Sequence, residues 1–155
     1  MRSLQSWLDE YGESHRHPVN KRIHWVCVPL IMLSVLGLLW ELPRPAPLVA
    51  FGPFVNWATL LVALACAYYF LLSRPLALGM LAVSVVLCTM LLALQQLPWP
   101  LWQTSLAIFA GAWLGQFIGH AIEGRKPSFF KDIQFLLIGP AWLLAHLYRR
   151  WGIVY

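Results

Sequence analysis

The run from Leu76 to Leu94 holds nineteen residues without one formal charge, and the run from Ile23 to Trp40 holds eighteen. Segments that long and apolar satisfy their backbone in hydrocarbon only as helices, and about twenty residues suffice to cross a bilayer. Phe54 to Leu72 and Leu101 to Ile122 are of the same kind. With 60% hydrophobic residues, 11% charged residues and a mean hydropathy of +0.67, the chain is too apolar for an ordinary soluble core. The expectation is one all-α integral membrane domain over residues 1–155, a polytopic helix bundle with four crossings near 23–40, 54–72, 76–94 and 101–122.

Punctuation between the runs supports these limits. Pro18 suits the first turn of a helix, with His17 near its cap. Glu41-Leu-Pro-Arg-Pro-Ala-Pro47, Gly52-Pro53, Ser73-Arg74-Pro75 and Gln95-Gln-Leu-Pro-Trp-Pro100 are places where a helix cannot continue. Residues 3–13 set Leu4, Trp7, Leu8 and Tyr11 at helical spacing. That pattern predicts a short amphipathic helix lying in the interface, with its aromatic rings at headgroup depth. A fifth apolar segment, 129–148, carries Lys131 and Asp132 near its start and Gly139-Pro140 in its middle. Its uninterrupted part is short for a crossing, so a broken, re-entrant or interfacial helix is preferred to a spanning one.

A net charge of +5 does not point to nucleic acid, because the few basic residues gather at the ends of apolar runs, facing membrane lipids. Arg2, Arg16, Lys21 and Arg22 flank the first run, Arg74 lies in the second connector, and Arg125, Lys126 and Lys131 follow the fourth run. This distribution favours a cytoplasmic N-terminus, in a bacterial inner membrane or the endoplasmic reticulum. Asp9 and Glu10 are foreign to the basic start of a cleaved signal peptide, so the first helix is expected to stay in the mature protein. Cys27, Cys66 and Cys88 are dispersed singly and read as small buried hydrophobes.

Five histidines avoid the middles of the apolar runs. An even number of crossings brings His15, His17 and His24 to the same membrane face as His120, and His146 joins them if the fifth segment does not cross. His17, Asn20 and His24 share one helical face, and Gln116, His120 and Glu123 share another. Ala107, Gly111, Gly115 and Gly119 form a small-residue stripe that admits a close neighbour, with Gln116 and His120 one position further round. Imidazole and carboxylate ligands with open positions suit a non-haem ferrous ion, although zinc takes the same ligand types. Two other readings are open: a haem held by His24 and His120, and a non-enzymatic transporter or assembly protein.

His15-Arg-His-Pro-Val-Asn20 with Ile23-His24 and Val28-Pro29, then Gln116-Phe-Ile-Gly-His120 with Glu123 and Pro127-Ser128, then Gly139-Pro140, resembles the small membrane 2-hydroxy fatty acid dioxygenases first associated with fungal phytosphingosine breakdown. The resemblance runs through nearly the whole chain. It implies an Fe(II)-dependent enzyme that uses O2, without 2-oxoglutarate, to shorten a 2-hydroxy long-chain fatty acid by one carbon. His15, Asn20, His24, Gln116, His120 and Glu123 match the family's polar positions. The chain departs from the pattern at His17, where asparagine is expected, and at His146, where relatives often carry glutamate. The expected metal ligands are His15, His24 and His120, with His146 as a fourth. Asn20, Gln116 and Glu123 are expected to support the chemistry, Asn20 and Glu123 by orienting the ligands. Arg16, Lys21, Arg22, Arg125 and Lys126 are placed to attract the substrate carboxylate.

Overall fold

The computed structural model describes residues 2–130 and 133–155, and among these the regular structure is entirely helical. Lys131 and Asp132, which entered the topology reading, lie outside the described residues. The elements are α1 (Leu4–Glu13), α2 (Pro18–Trp40), the single turn α3 (Ala46–Val49), α4 (Trp57–Leu72), α5 (Arg74–Leu94), α6 (Leu101–Glu123), a 3-10 turn at Ser128–Phe130, and α7 (Phe135–Arg150).

The ends of these helices follow from their local chemistry. His17 caps α2, its Nδ1 accepting the Val19 N–H at 3.2 Å ahead of Pro18 in the first turn. Asn56 and Thr59 form a reciprocal capping box on α4, and the Ser73 hydroxyl accepts the Leu76 N–H at the start of α5. Gly124, at φ 70°, takes the left-handed conformation that stops α6.

Three helices, α2, α5 and α6, are long and apolar enough to cross a membrane, while α4 is apolar but has only sixteen residues. Length alone therefore marks three crossings rather than the four expected. Outward-facing side chains such as Leu64, Leu78, Val86 and Leu114 are exposed, as suits a surface that meets lipid.

The closest helix pair is α2 with α6, running antiparallel so that the start of one lies beside the end of the other. The small-residue stripe makes that approach possible over part of its length. A Cβ at Gly115 would lie 2.7 Å from Cys27 Sγ, and one at Gly119 would collide with Asn20 Oδ1. Gly111, further along the same stripe, faces open space. Gln116 and His120, beside the stripe, are buried.

The fifth apolar segment is not a broken helix, one of the three forms expected of it. Its helix starts only at Phe135 and runs unbroken through Gly139 and Pro140 to Arg150. It is buried on nearly every side, packing on α1, α2 and α5. Its Tyr148 hydroxyl donates to Pro75 O at 2.8 Å, and Leu137 O accepts the Tyr69 hydroxyl of α4 at 2.7 Å.

Against this helix lies α1, and here the interfacial reading of its aromatic face is corrected. Trp7 and Tyr11 are 6% and 7% exposed, set against Phe135 at 5.2 Å and Trp142 at 5.6 Å between ring centroids. The same aromatic stripe that suits a headgroup layer finds an apolar protein wall, and burying it there takes the rings wholly out of water.

The α2–α6 contact yields a paired test. Gly119→Ala should lower thermal stability in detergent, because Asn20 is held by hydrogen bonds and cannot yield freely, with overpacking costing about 1–3 kcal/mol. Gly111→Ala should leave the melting temperature unchanged or slightly raised.

Candidate metal centre

His15 sits in the short connector between α1 and α2, His24 lies two turns into α2, and His120 occupies the last turn of α6. All three are buried. Their ring centroids are 4.3 Å apart for His15 and His24, 5.0 Å for His15 and His120, and 4.9 Å for His24 and His120. One side-chain nitrogen from each falls within 4.8 Å of the others.

The hydrogen bonds fix what these nitrogens can do. His15 Nδ1 lies 2.6 Å from Tyr11 O, and His24 Nδ1 lies 3.0 Å from Asn20 O. A backbone carbonyl only accepts, so each Nδ1 carries the proton of a neutral imidazole and each Nε2 presents a lone pair. Burial, with the adjacent His24 ring adding to it, pushes the His15 pKa from 6.5 down to about 3, so His15 is neutral at ordinary pH. Yet the two Nε2 atoms face each other at 2.9 Å. Two lone pairs at that distance repel unless a cation lies on them. The His120 Nδ1, also buried, has no hydrogen-bond partner. Three buried imidazoles whose nitrogens converge within 4.8 Å form a donor set that fits a divalent transition metal.

Surrounding groups hold these rings in place. Tyr11 stacks on His15 with centroids 4.0 Å apart and an interplanar angle of 13°, and Trp142 of α7 lies 5.6 Å away. Burial pushes the Tyr11 phenol pKa up, so it stays un-ionised. Glu123 acts on backbone rather than on imidazole. Its carboxylate accepts the Arg16 N–H at 2.9 Å, the His17 N–H at 2.8 Å and the Asn20 side-chain amide at 3.2 Å. Asn20 also donates to Ser14 O at 3.1 Å. The two residues thus tie down the His15 connector. The outer N–H groups of His15 and His24, expected to reach a side chain such as Glu123, are taken by carbonyls four residues upstream.

Gln116 is buried and lines the same small cavity, of about 60 Å³, onto which all three histidines open. His17 caps α2 and is exposed, away from the cluster. His146 does not join the three. It is exposed on α7, with Trp25 at 5.7 Å and Trp142 at 6.3 Å, because the helix turns that position outward. The basic side chains Arg16, Lys21, Arg22, Arg125 and Lys126 are likewise exposed, and none lines the cavity. A haem between His24 and His120 does not fit. His15 crowds that gap, and the cavity is several times smaller than the roughly 300 Å³ or more that a ligand of that size needs.

Two contributors escaped the sequence reading. Tyr11 supplies both a carbonyl and a stacking ring to His15, signalled only by their spacing of four residues. Trp142 carried no signal, since its approach depends on how α7 docks.

Comparison with known proteins adds independent findings. The family described as "2-hydroxy-palmitic acid dioxygenase Mpo1-like" matches residues 1–151. A relative from Saccharomyces cerevisiae, named 2-hydroxy-palmitic acid dioxygenase MPO1, is 26% identical over 153 residues, covering 97% of this chain and 83% of the relative. No solved structure matches the chain.

Metal analysis tests the three-histidine centre directly. Purified, metal-free protein titrated with a divalent transition metal should take up one ion per chain. His15→Ala, His24→Ala and His120→Ala should each abolish tight uptake, whereas His146→Ala should retain it. Loss of the metal on changing His146 alone would contradict the geometry.

Proposed function

The chain belongs to the 2-hydroxy-palmitic acid dioxygenase Mpo1-like family, and from that membership we propose that it is an Fe(II)-dependent dioxygenase of 2-hydroxy long-chain fatty acids. The observation that carries the metal part is the pair of imidazole nitrogens facing each other at 2.9 Å with their outer nitrogens already donated. His15, His24 and His120 would hold the ion. Fe(II) held there supplies open coordination positions for a chelating substrate and the electrons that activate oxygen.

The proposed reaction balances without a co-substrate. A 2-hydroxy acid and O2 give the acid one carbon shorter, carbon dioxide and water. The C1–C2 bond breaks, four electrons leave the two carbons, and O2 takes all four. That balance removes any need for 2-oxoglutarate.

The protein's own part is positioning and exclusion of water. Glu123 and Asn20 keep the His15 connector closed over the site, while Tyr11 and Trp142 hold the His15 ring by packing. Val28, Met32, Phe135 and Leu136 give the cavity an apolar wall for the first carbons of the acyl chain. The small volume admits a head group only, so the rest of the chain would lie along the helices toward lipid. The exposed basic residues would draw the acid to the membrane surface rather than bind it within the site.

In the proposed arrangement α4 is the fourth crossing. Its start lies at the far end of α2, where Trp57 Nε1 donates to Pro43 O at 3.0 Å, and its other end reaches α7 through Tyr69. It therefore travels the length of the bundle. Four crossings place the N-terminus and the metal centre on one side, the cytoplasmic side by charge, of a bacterial inner membrane or the endoplasmic reticulum. The helix α7 stays at that interface without crossing.

Anaerobically purified, iron-loaded protein given 2-hydroxypalmitic acid and then oxygen should consume one O2 per acid and release the fifteen-carbon acid. Zinc-loaded protein should consume none. His120→Ala should lose more than the roughly 10- to 100-fold that removing a group behind a metal ligand costs. Bound iron without oxygen uptake would overturn the proposal in favour of a non-catalytic metal site.

A further inference from the structure

Two hydrogen-bond donors on the cavity wall are left unused by the protein. Ser128 is 4% exposed, and its Oγ has no hydrogen-bond partner. The Trp113 indole nitrogen is buried and unpartnered in the same way. Both side chains line the cavity onto which His15, His24 and His120 open. They belong to one part of the wall, because Phe129, the neighbour of Ser128, packs edge-on against Trp113 with centroids 5.1 Å apart.

An unmade hydrogen bond at a buried donor forfeits its hydration with nothing in return, and native proteins tolerate few of these. An indole N–H donates and cannot accept, so whatever completes it must bring a lone pair. Around the donors the cavity offers apolar side chains such as Val28, Met32 and Leu136. Among the described residues no lysine or arginine lines it. An anion entering this space would therefore be held by neutral donors, and charge-assisted bonds to such donors are about twice as strong as neutral ones.

We propose that the Ser128 hydroxyl and the Trp113 indole N–H bind the carboxylate of the 2-hydroxy acid and so set the enzyme's preference for a free acid over a neutral head group. The identity of the acid rests on the dioxygenase reading, whereas the two donors rest on the cavity itself. Fixing the carboxylate on this stretch of wall would orient the acid's head within the cavity onto which the histidines open. It also assigns a role to the Pro127-Ser128 pair, which the metal centre does not use.

Binding is measured without turnover by titrating iron-loaded protein in detergent, under anaerobic conditions, with 2-hydroxypalmitic acid and with its neutral counterpart hexadecane-1,2-diol. Wild-type protein should prefer the acid. Ser128→Ala and Trp113→Phe should each weaken acid binding about tenfold or more, the size expected for a hydrogen bond to a charged group. Diol affinity and iron content should stay unchanged, and Ser128→Thr, which keeps the hydroxyl, should stay near wild type. Unchanged acid binding in both variants, or an equal loss for acid and diol, would overturn the assignment. The dioxygenase reading fails separately: acid-selective binding by wild-type protein that then consumes no oxygen would overturn that reading and leave the carboxylate site standing.

Discussion

The carboxylate of Glu123 holds together the two halves of the site. It ends α6 and accepts backbone N–H groups at the start of α2, where the first amides of a helix have no partner in the helix itself. An anion at that position also meets the positive end of the α2 dipole. Because α2 and α6 run antiparallel, this contact sets their relative height, and with it the level of His24 against His120. The close approach at Gly115 and Gly119 sets their separation. Together these two constraints put two of the three imidazoles 4.9 Å apart.

The third imidazole depends on a different part of the fold. His15 lies in no regular element, and a connector of four residues would ordinarily leave it free to move. Its ring is held instead by Tyr11 stacked on it and by Trp142 nearby. Both belong to the α1–α7 pair, whose apolar contacts run through Trp7, Phe135 and Ile138. The site is therefore composite. The α2–α6 pair places His24 and His120, and the α1–α7 pair docked at one end of the bundle closes His15 over them.

That division also explains what the sequence disclosed. Apolar length and helix parity are local quantities, so the convergence of His15 and His24 with His120 is legible from residue positions. Face sharing put Gln116 and His120 beside the glycine stripe, and they are buried there. The docking of α1 was not legible, because Trp7 and Tyr11 at helical spacing suit a lipid interface and a protein wall equally. His146 was misplaced for a related reason: only the rotation of α7 decides which of its side chains turn inward. The role of Glu123 was hidden because its partners are backbone amides, which no side-chain pattern reveals. Span counting stopped at the sixteen residues of α4, whose hydrogen bonds to the connector before it and to α7 locate its ends where its length does not.

Charge connects the metal centre to the kind of substrate it would take. All three candidate ligands are neutral imidazoles, so a divalent ion held by them would keep its full charge in a space largely closed to water. Glu123 is engaged by three N–H groups from the connector and the first turn of α2, which draw it away from a metal-ligand role. An uncompensated dication in a medium of low dielectric favours an anionic partner far more than the same ion in water would. A neutral lipid would leave that charge unanswered, whereas a 2-hydroxy acid brings a carboxylate and a hydroxyl that becomes more acidic on the ion. Three protein nitrogens would leave such an ion positions for a chelating substrate. A carboxylate ligand in place of one histidine would reduce the ion's charge and weaken this preference. The exposed position of His146 keeps this centre free of a fourth protein ligand from α7. A metal held by this ligand set would thus favour an acid in the same sense as the two donors on the cavity wall.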